Sequence, residues 1–236
     1  SQLSPYQLNP LNLNPLRDIL AQTVDFERVR QCHRTHLFIA ATHVATGELR
    51  VFRQEELTAD MVLASACLPL LFQAVEIEGE AYWDGGYAGN PTLLPLIAET
   101  PADDLLLVQI NPSRRERLPT QANEILERAS EVTFNASLLK ELRTIGLIKE
   151  LLADAQRPDS AYQRPLFRRI DDLRLHQLNA EEQLSRFGAS SKTQTNHAFL
   201  MQLHQIGRDA ADEWLVRNRQ HLGKRSSCDL PPALTP

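Results

Sequence analysis

A chain of 236 residues suits one domain with a sizeable core, or one large piece of a bigger α/β domain, and 42% hydrophobic with 23% charged residues is ordinary for a globular protein. A net charge of −5 excludes the electrostatic footprint of a nucleic-acid binder, and the short basic clusters, Arg114-Arg115-Glu116-Arg117 and residues 164–169, read as solvated loop faces. Three widely spaced cysteines, Cys32, Cys67 and Cys228, outline neither a disulfide framework nor a zinc cage; with no membrane-length apolar run and no signal pattern, a reducing, cytoplasmic setting is expected.

Residues 4–15 alternate proline, asparagine and leucine, a composition that predicts a packed loop with its leucines buried. Asn14 before Pro15 reads as an N-cap with proline at the first helical position, opening a helix to about Val29 with Leu16, Ile19, Leu20 and Val24 inward. Leu37-Phe38-Ile39-Ala40-Ala41-Thr42 predicts a strand buried on both faces, and residues 49–53, alternating apolar and charged, its half-exposed hairpin partner. A helix over residues 58–66, capped by Thr58 with Asp60 in its first turn, ends in the small residues Ala64-Ser65-Ala66 before Pro69. A second hairpin, turning at Glu78-Gly79-Glu80, carries the chain through Tyr82-Trp83 to Asp84.

After Asn90-Pro91 a short helix is predicted over residues 92–98, then a strand over 104–111 buried on both faces. Apolar residues at helical spacing from about Gln121 to Ala155 predict a long core-packing helix, with Gly146 as a candidate break. Residues 157–165 read as a loop, 173–178 as a strand, and 195–221 as the last helix. The proline- and serine-containing residues 223–236 are expected to form a disordered tail, leaving 1–222 as the folded portion.

Strands buried between helices predict an α/β architecture, in which active sites sit on loops at strand ends. Trp83-Asp84-Gly85-Gly86 is such a loop: glycines permit a tight corner and close backbone approach, so Asp84 is the candidate general base, with Gly85 and Gly86 supporting the turn, beside the plain surface turn that the same Asp-Gly letters also make. A base needs a nucleophile within about 2.6–3.2 Å. The elbow Gly-x-Ser-x-Gly does not occur; Gly188-Ala189-Ser190-Ser191-Lys192 lacks its second glycine, and Ser137-Leu138-Leu139-Lys140 matches Ser-x-x-Lys without the partner motifs. Ser65 reads as helix-end packing. Cys32, His33, His36 and His43 have no zinc spacing, His197 and His204 are two turns apart on one helix, and no phosphate-binding glycine loop is present, so neither metal nor cofactor is expected.

Ser4-Pro5-Tyr6, Asn9-Pro10-Leu11-Asn12, the run Ala64-Ser65-Ala66-Cys67-Leu68-Pro69-Leu70-Leu71-Phe72, Trp83-Asp84-Gly85-Gly86 and Asn90-Pro91 together resemble the patatin-like phospholipase family, most closely its bacterial members. The resemblance runs from Ser4 to about Trp214 and is densest between Leu37 and Pro95. It implies a three-layer α/β/α fold and a lipid acyl hydrolase working through a serine–aspartate dyad, with Asp84 as the aspartate, a lipid or acyl-ester substrate, and transient contact with a membrane surface. In that family the oxyanion loop and the serine elbow precede the region resembled here. The chain is therefore expected to be a carboxy-terminal portion, incomplete at its N-terminal side and inactive alone. Two further readings follow from the residues: a binding or scaffold protein of the same fold without a nucleophile, and a docking surface formed by the helices after Gln121.

Overall fold

The computed structural model describes residues 3–89, 92–111, 117–154, 164–187, 191 and 194–232. Asn90-Pro91, Arg114-Arg115-Glu116, most of the 157–165 loop and Gly188-Ala189-Ser190 with Lys192 lie outside the described residues. The chain divides into two compact units, Ser1–Leu96 and Ile97–Pro236. Helices alternate with strands in both, and the class is α/β as predicted.

In the first unit, α1 (Pro5–Leu8), α2 (Pro15–Thr23) and α3 (Phe26–Arg30) precede the hairpin β1 (Phe38–His43) and β2 (Leu49–Arg53). Asn14 caps α2 as expected, its side chain accepting from the Leu16 N–H at 3.1 Å. The helix does not continue to Val29. Val24 takes an extended conformation and Asp25 starts α3 by accepting from the Arg28 N–H, because a β-branched pair followed by a strong N-cap favours a restart over continuation. Leu16 and Ile19 are exposed, as are Leu8, Leu11 and Leu13, so the predicted burial of these side chains is not what forms.

Helix α4 (Ala59–Ser65) leads to the hairpin β3 (Val75–Ile77) and β4 (Glu80–Asp84). Glu78 and Gly79 both have positive φ, the requirement of a two-residue primed turn that follows the strand twist. The four strands form one antiparallel sheet in the order β2-β1-β4-β3. Strand β1 is interior, and its neighbours Ala41 and Thr42, pointing to opposite faces, are both buried. The core gathers Ala41, Phe52, Leu57, Met61, Ala64, Ile77 and Tyr82, with α4 laid against β1, β3 and β4.

Helix α5 (Leu94–Glu99) leads to the second unit, which holds β5 (Asp104–Gln109), α6 (Ala122–Asp154), α7 (Pro165–Asp172), β6 (Arg174–Asn179), α8 (Glu181–Leu184) and α9 (His197–Asn218). Strands β5 and β6 pair in parallel from Asp104↔Arg174 to Gln109↔Asn179. The expectation that β5 is buried on both faces fails: Leu107 is buried while Leu106 and Val108 are exposed, and among the described residues nothing covers that face. Helix α6 runs unbroken through Gly146, burying Leu138, Leu142 and Ile145.

The start of this parallel pair is pinned electrostatically. The Arg174 guanidinium, donating to Asp104 Oδ2 at 3.0 and 3.2 Å, holds the Asp104 carboxyl well below the usual range, helped by the Gly223 N–H and by His176. His176 is fully buried; its Nε2 donates to Asp104 Oδ1 at 2.9 Å, and Nδ1 meets the Ser227 hydroxyl at 2.9 Å. Residues 223–232, which the sequence predicts as the start of a loose tail, make further bonds to β6: the Ser226 hydroxyl accepts from the Leu175 N–H and the Ser227 N–H donates to the Leu175 carbonyl. Because its folded-state pKa is depressed, Asp104 contributes stability above its ordinary titration range, and this contribution is lost as pH falls through the depressed value. Asp104→Asn is expected to melt below the parent at neutral pH, the gap closing as pH falls below the ordinary carboxylate range, by thermal denaturation followed across pH.

Candidate functional site

The site is built where β4 ends against β1. Register pairs Ala41 with Asp84 and Thr42 with Trp83, so the last strand residue is the carboxylate itself. Its backbone is tied on both sides: the Asp84 N–H donates to the Cys67 carbonyl at 2.9 Å, and the Thr42 hydroxyl donates to the Asp84 carbonyl at 2.8 Å. Thr42 Oγ1 also accepts from the Ala88 N–H at 3.1 Å, so one buried hydroxyl bridges the two ends of the turn. A polar side chain in the apolar run of β1 is the one signal in the sequence that points to Thr42.

Residues Gly85–Tyr87 form a tight 3-10 turn, closed by the Ala88 and Gly89 N–H groups donating to the Gly85 carbonyl. Positive φ is not what Gly85 supplies here. Its role is close approach: a Cβ at this position would overlap the Ala40 carbonyl oxygen and stand 2.6 Å from its carbon, so only glycine lets the turn seat on the β1 backbone. Gly86 contributes its N–H, which donates to Asp84 Oδ1 at 2.8 Å and fixes the carboxylate rotamer.

Asp84 lines a cleft of about 210 Å³ together with Phe38, Val51, Ser65, Thr92 and Leu96. The cleft is smaller than a closed ligand pocket of roughly 300–1,000 Å³ and is an open corner with an apolar wall. Burial pushes the Asp84 carboxyl up from its usual value, and the Gly86 N–H offsets this only in part; among the described residues no cation is paired with it. Raising the pKa of a carboxylate in this way makes it a better proton acceptor whenever it is ionised.

Ser65 lines the same cleft, but its hydroxyl donates to the Val62 carbonyl at 2.7 Å, consistent with its reading as helix-end packing. Cys67 is buried, its thiol pushed up by burial and by the Asp84 charge and donated to the Gln73 carbonyl, so it is a poor nucleophile. The Thr92 hydroxyl is buried without a hydrogen-bond partner among the described residues. His43 is engaged by Thr46 and Glu80, and Ser137 and Lys140 lie within α6, in the other unit. No group of three or more His, Cys, Asp or Glu is gathered to hold a metal ion among the described residues. Likewise, no helix among them is long and apolar enough to cross a membrane.

Residues 7–97 match the family described as patatin-like phospholipase. The match takes in β1 to β4 and the Asp84 turn, and is shorter than the span to Trp214 covered by the sequence resemblance. No curated protein matches the chain.

The packing at the turn gives a direct test. Gly85→Ala is expected to destabilise the chain by about 1–3 kcal/mol or more, since backbone rather than a movable side chain meets the new methyl. Gly207→Ala, in the middle of α9 with nothing within 4 Å, is expected to stabilise it by about 0.5–1 kcal/mol. Denaturant unfolding of the two variants beside the parent reads both signs.

Proposed function

We propose, for a chain whose residues 7–97 match the patatin-like phospholipase family, that Asp84 is the base of a serine–aspartate dyad in a lipid acyl hydrolase. The observation that supports this most is the state of the Asp84 carboxylate: half-buried, held in one rotamer by the Gly86 N–H, raised in pKa by burial, and lining an open cleft. A carboxylate placed only for stability is normally paired with a cation, as Asp104 is with Arg174.

In the proposed reaction, Asp84 takes the proton of a serine hydroxyl while the serine oxygen attacks the carbonyl of a carboxylic ester. The tetrahedral intermediate collapses to an acyl-serine, and the alcohol leaves with the proton that Asp84 held. A water molecule, deprotonated in turn by Asp84, attacks the acyl-serine; the fatty acid is released, and Asp84 returns the proton to the departing serine oxygen. The rigid turn fixes where the proton goes; the apolar wall formed by Phe38, Val51 and Leu96 offers a surface for the first part of an acyl chain. Because Gly-x-Ser-x-Gly does not occur in the sequence, the proposal assigns the serine and the oxyanion donors to residues outside these 236, and takes the isolated chain to be inactive on esters.

The missing elbow also favours a second reading, in which the same fold binds lipid without cleaving it. One assay separates the two. Hydrolysis of a short-chain ester by the full-length protein containing this chain is expected to fall about 100- to 10,000-fold in Asp84→Asn, with KM little changed. Equal rates in parent and variant would overturn the role of Asp84, and no hydrolysis by the full-length protein would favour the binding reading.

A further inference from the structure

Among the described residues that line the cleft, Asp84, Ser65 and Thr92 carry polar side chains. They differ in the hydrogen-bonding capacity they have left. The Thr92 hydroxyl is buried, out of reach of anything entering from solvent. Asp84 Oδ1 accepts from the Gly86 N–H, and a carboxylate with roughly four lone-pair sites keeps the others for further donors. Ser65 is partly exposed, and its hydroxyl proton is engaged by the Val62 carbonyl at 2.7 Å. A bond of this kind, three residues back along a helix, is common and marks no site by itself. Beside a carboxylate it has a further consequence. A hydroxyl has one proton and two lone pairs, so while that bond holds Ser65 Oγ is an acceptor alone, and donation to a carbonyl makes it a better one.

Backbone bonds fix where these two acceptors stand. The end of α4 is turned by the Ala66 N–H donating to the Leu63 carbonyl at 3.2 Å and the Cys67 N–H donating to the Ala64 carbonyl at 3.1 Å. The Cys67 carbonyl then accepts from the Asp84 N–H at 2.9 Å, so Ser65 lies two residues from the bond that anchors the carboxylate. The walls around them, Phe38, Val51 and Leu96, are apolar. A small molecule held between Ser65 and Asp84 must offer two hydrogens to two acceptors, which an ester group and an acyl chain cannot do and water does. With both hydrogens donated, the lone pairs of the water face away from the two acceptors, the orientation that a nucleophile needs.

We infer that Ser65 holds the hydrolytic water of the second half-reaction, the water donating one hydrogen to Asp84 and the other to Ser65 Oγ. The inference rests on the dyad reading of Asp84, which supplies the acyl-serine for this water to attack. As the water oxygen bonds to the acyl carbon, Asp84 takes the first hydrogen as a proton. The bond from that carbon to the serine oxygen then breaks, and Asp84 gives the proton to the serine. The second hydrogen stays on the new carboxyl group, so Ser65 accepts no proton and acts by orienting the water. It has no part in acylation, where the serine itself is the nucleophile.

The test separates the two half-reactions in the full-length protein containing this chain, using a short-chain p-nitrophenyl ester. Release of p-nitrophenol after rapid mixing reads acylation, and the mass of the quenched protein over time reads loss of the acyl group. Ser65→Ala is expected to slow deacylation about tenfold or more and to leave acylation within about twofold, with unchanged circular dichroism. Ser65→Thr, which keeps the hydroxyl, is expected to deacylate within about threefold of the parent, and Ser65→Cys, whose sulfur is a weak acceptor, to be slowed as Ser65→Ala is. Hydroxylamine, a nucleophile that needs no deprotonation, is expected to discharge the acyl group from parent and Ser65→Ala at equal rates. Equal slowing of both steps, slowing of acylation alone, or Ser65→Thr as slow as Ser65→Ala would each overturn the inference. Parental deacylation in Ser65→Ala beside a slowed Asp84→Asn would overturn it and leave the dyad reading standing. An Asp84→Asn variant that acylates at the parental rate, or a parent that forms no acyl-protein, would overturn the dyad reading and the inference with it.

Discussion

The seat of Gly85 on the backbone of β1 is the constraint on which the candidate site depends. Without a side chain at that position the turn lies against Ala40, and only then can Thr42 reach both the Asp84 carbonyl and the Ala88 N–H. The pairing of β1 with β4 sets the height of the turn, and the Cys67 carbonyl, delivered by the end of α4, closes it from the other side. A carboxylate so placed loses little entropy on presenting itself to a reacting group, which is the contribution a rigid scaffold makes to catalysis. The energetic cost is also clear: the strand ends in a half-buried charge that burial works against.

Asp84 and Asp104 show how one residue type is put to two uses. Asp104 sits at the first residue of β5, neutralised by Arg174 and bonded by His176 and Gly223, and its carboxyl is driven down. Ser227, His176 and Asp104 form a string with the composition of a catalytic triad, yet they lie at the start of the parallel strands, whereas α/β sites open at strand ends. Their bonds instead hold the chain after Gly223 to β6. Asp84 lies at a strand end, has no cation among the described residues, and its carboxyl is driven up. A raised folded-state value contributes stability that is fully present below the ordinary titration range and is lost as pH rises through the folded value. A carboxylate disfavoured by burial, with no cation to compensate it among the described residues, is the state that the proposed role of Asp84 as a base calls for.

Local sequence rules locate the six strands and the longer helices, but not the short α1, α3, α7 and α8. Both hairpins, the turn at Glu78-Gly79, the Asn14-Pro15 helix start and the long α6 follow from periodicity and cap chemistry, which act over a few residues. The turn at Asp84-Gly85-Gly86 is legible too, because paired glycines after an aromatic strand permit a tight corner, although the same letters also make plain surface turns. Burial is less legible. Leu8, Leu11, Leu13, Leu16 and Ile19 have the spacing and chemistry of core residues and stand at the surface, since which face a loop or helix turns inward is decided by its distant neighbours. Thr42 is only faintly marked in the sequence, as a polar residue in an apolar run, for a related reason: its hydroxyl matters only because β4 returns beside it, forty-two positions later along the chain. The division of labour between Gly85 and Gly86, one for contact and one for its N–H, likewise depends on the strand beneath them.

The central claim is that the Asp84 turn holds a desolvated carboxylate as a base. Its most direct test is a titration of the chain with carboxyl-13C aspartate, followed by NMR and assigned through Asp84→Asn and Asp104→Asn. The account requires the Asp84 midpoint to lie above the ordinary aspartate value of about 3.9, and that of Asp104 below it. An Asp84 midpoint at or below that value would mean that the turn stabilises the ion and would contradict the assignment.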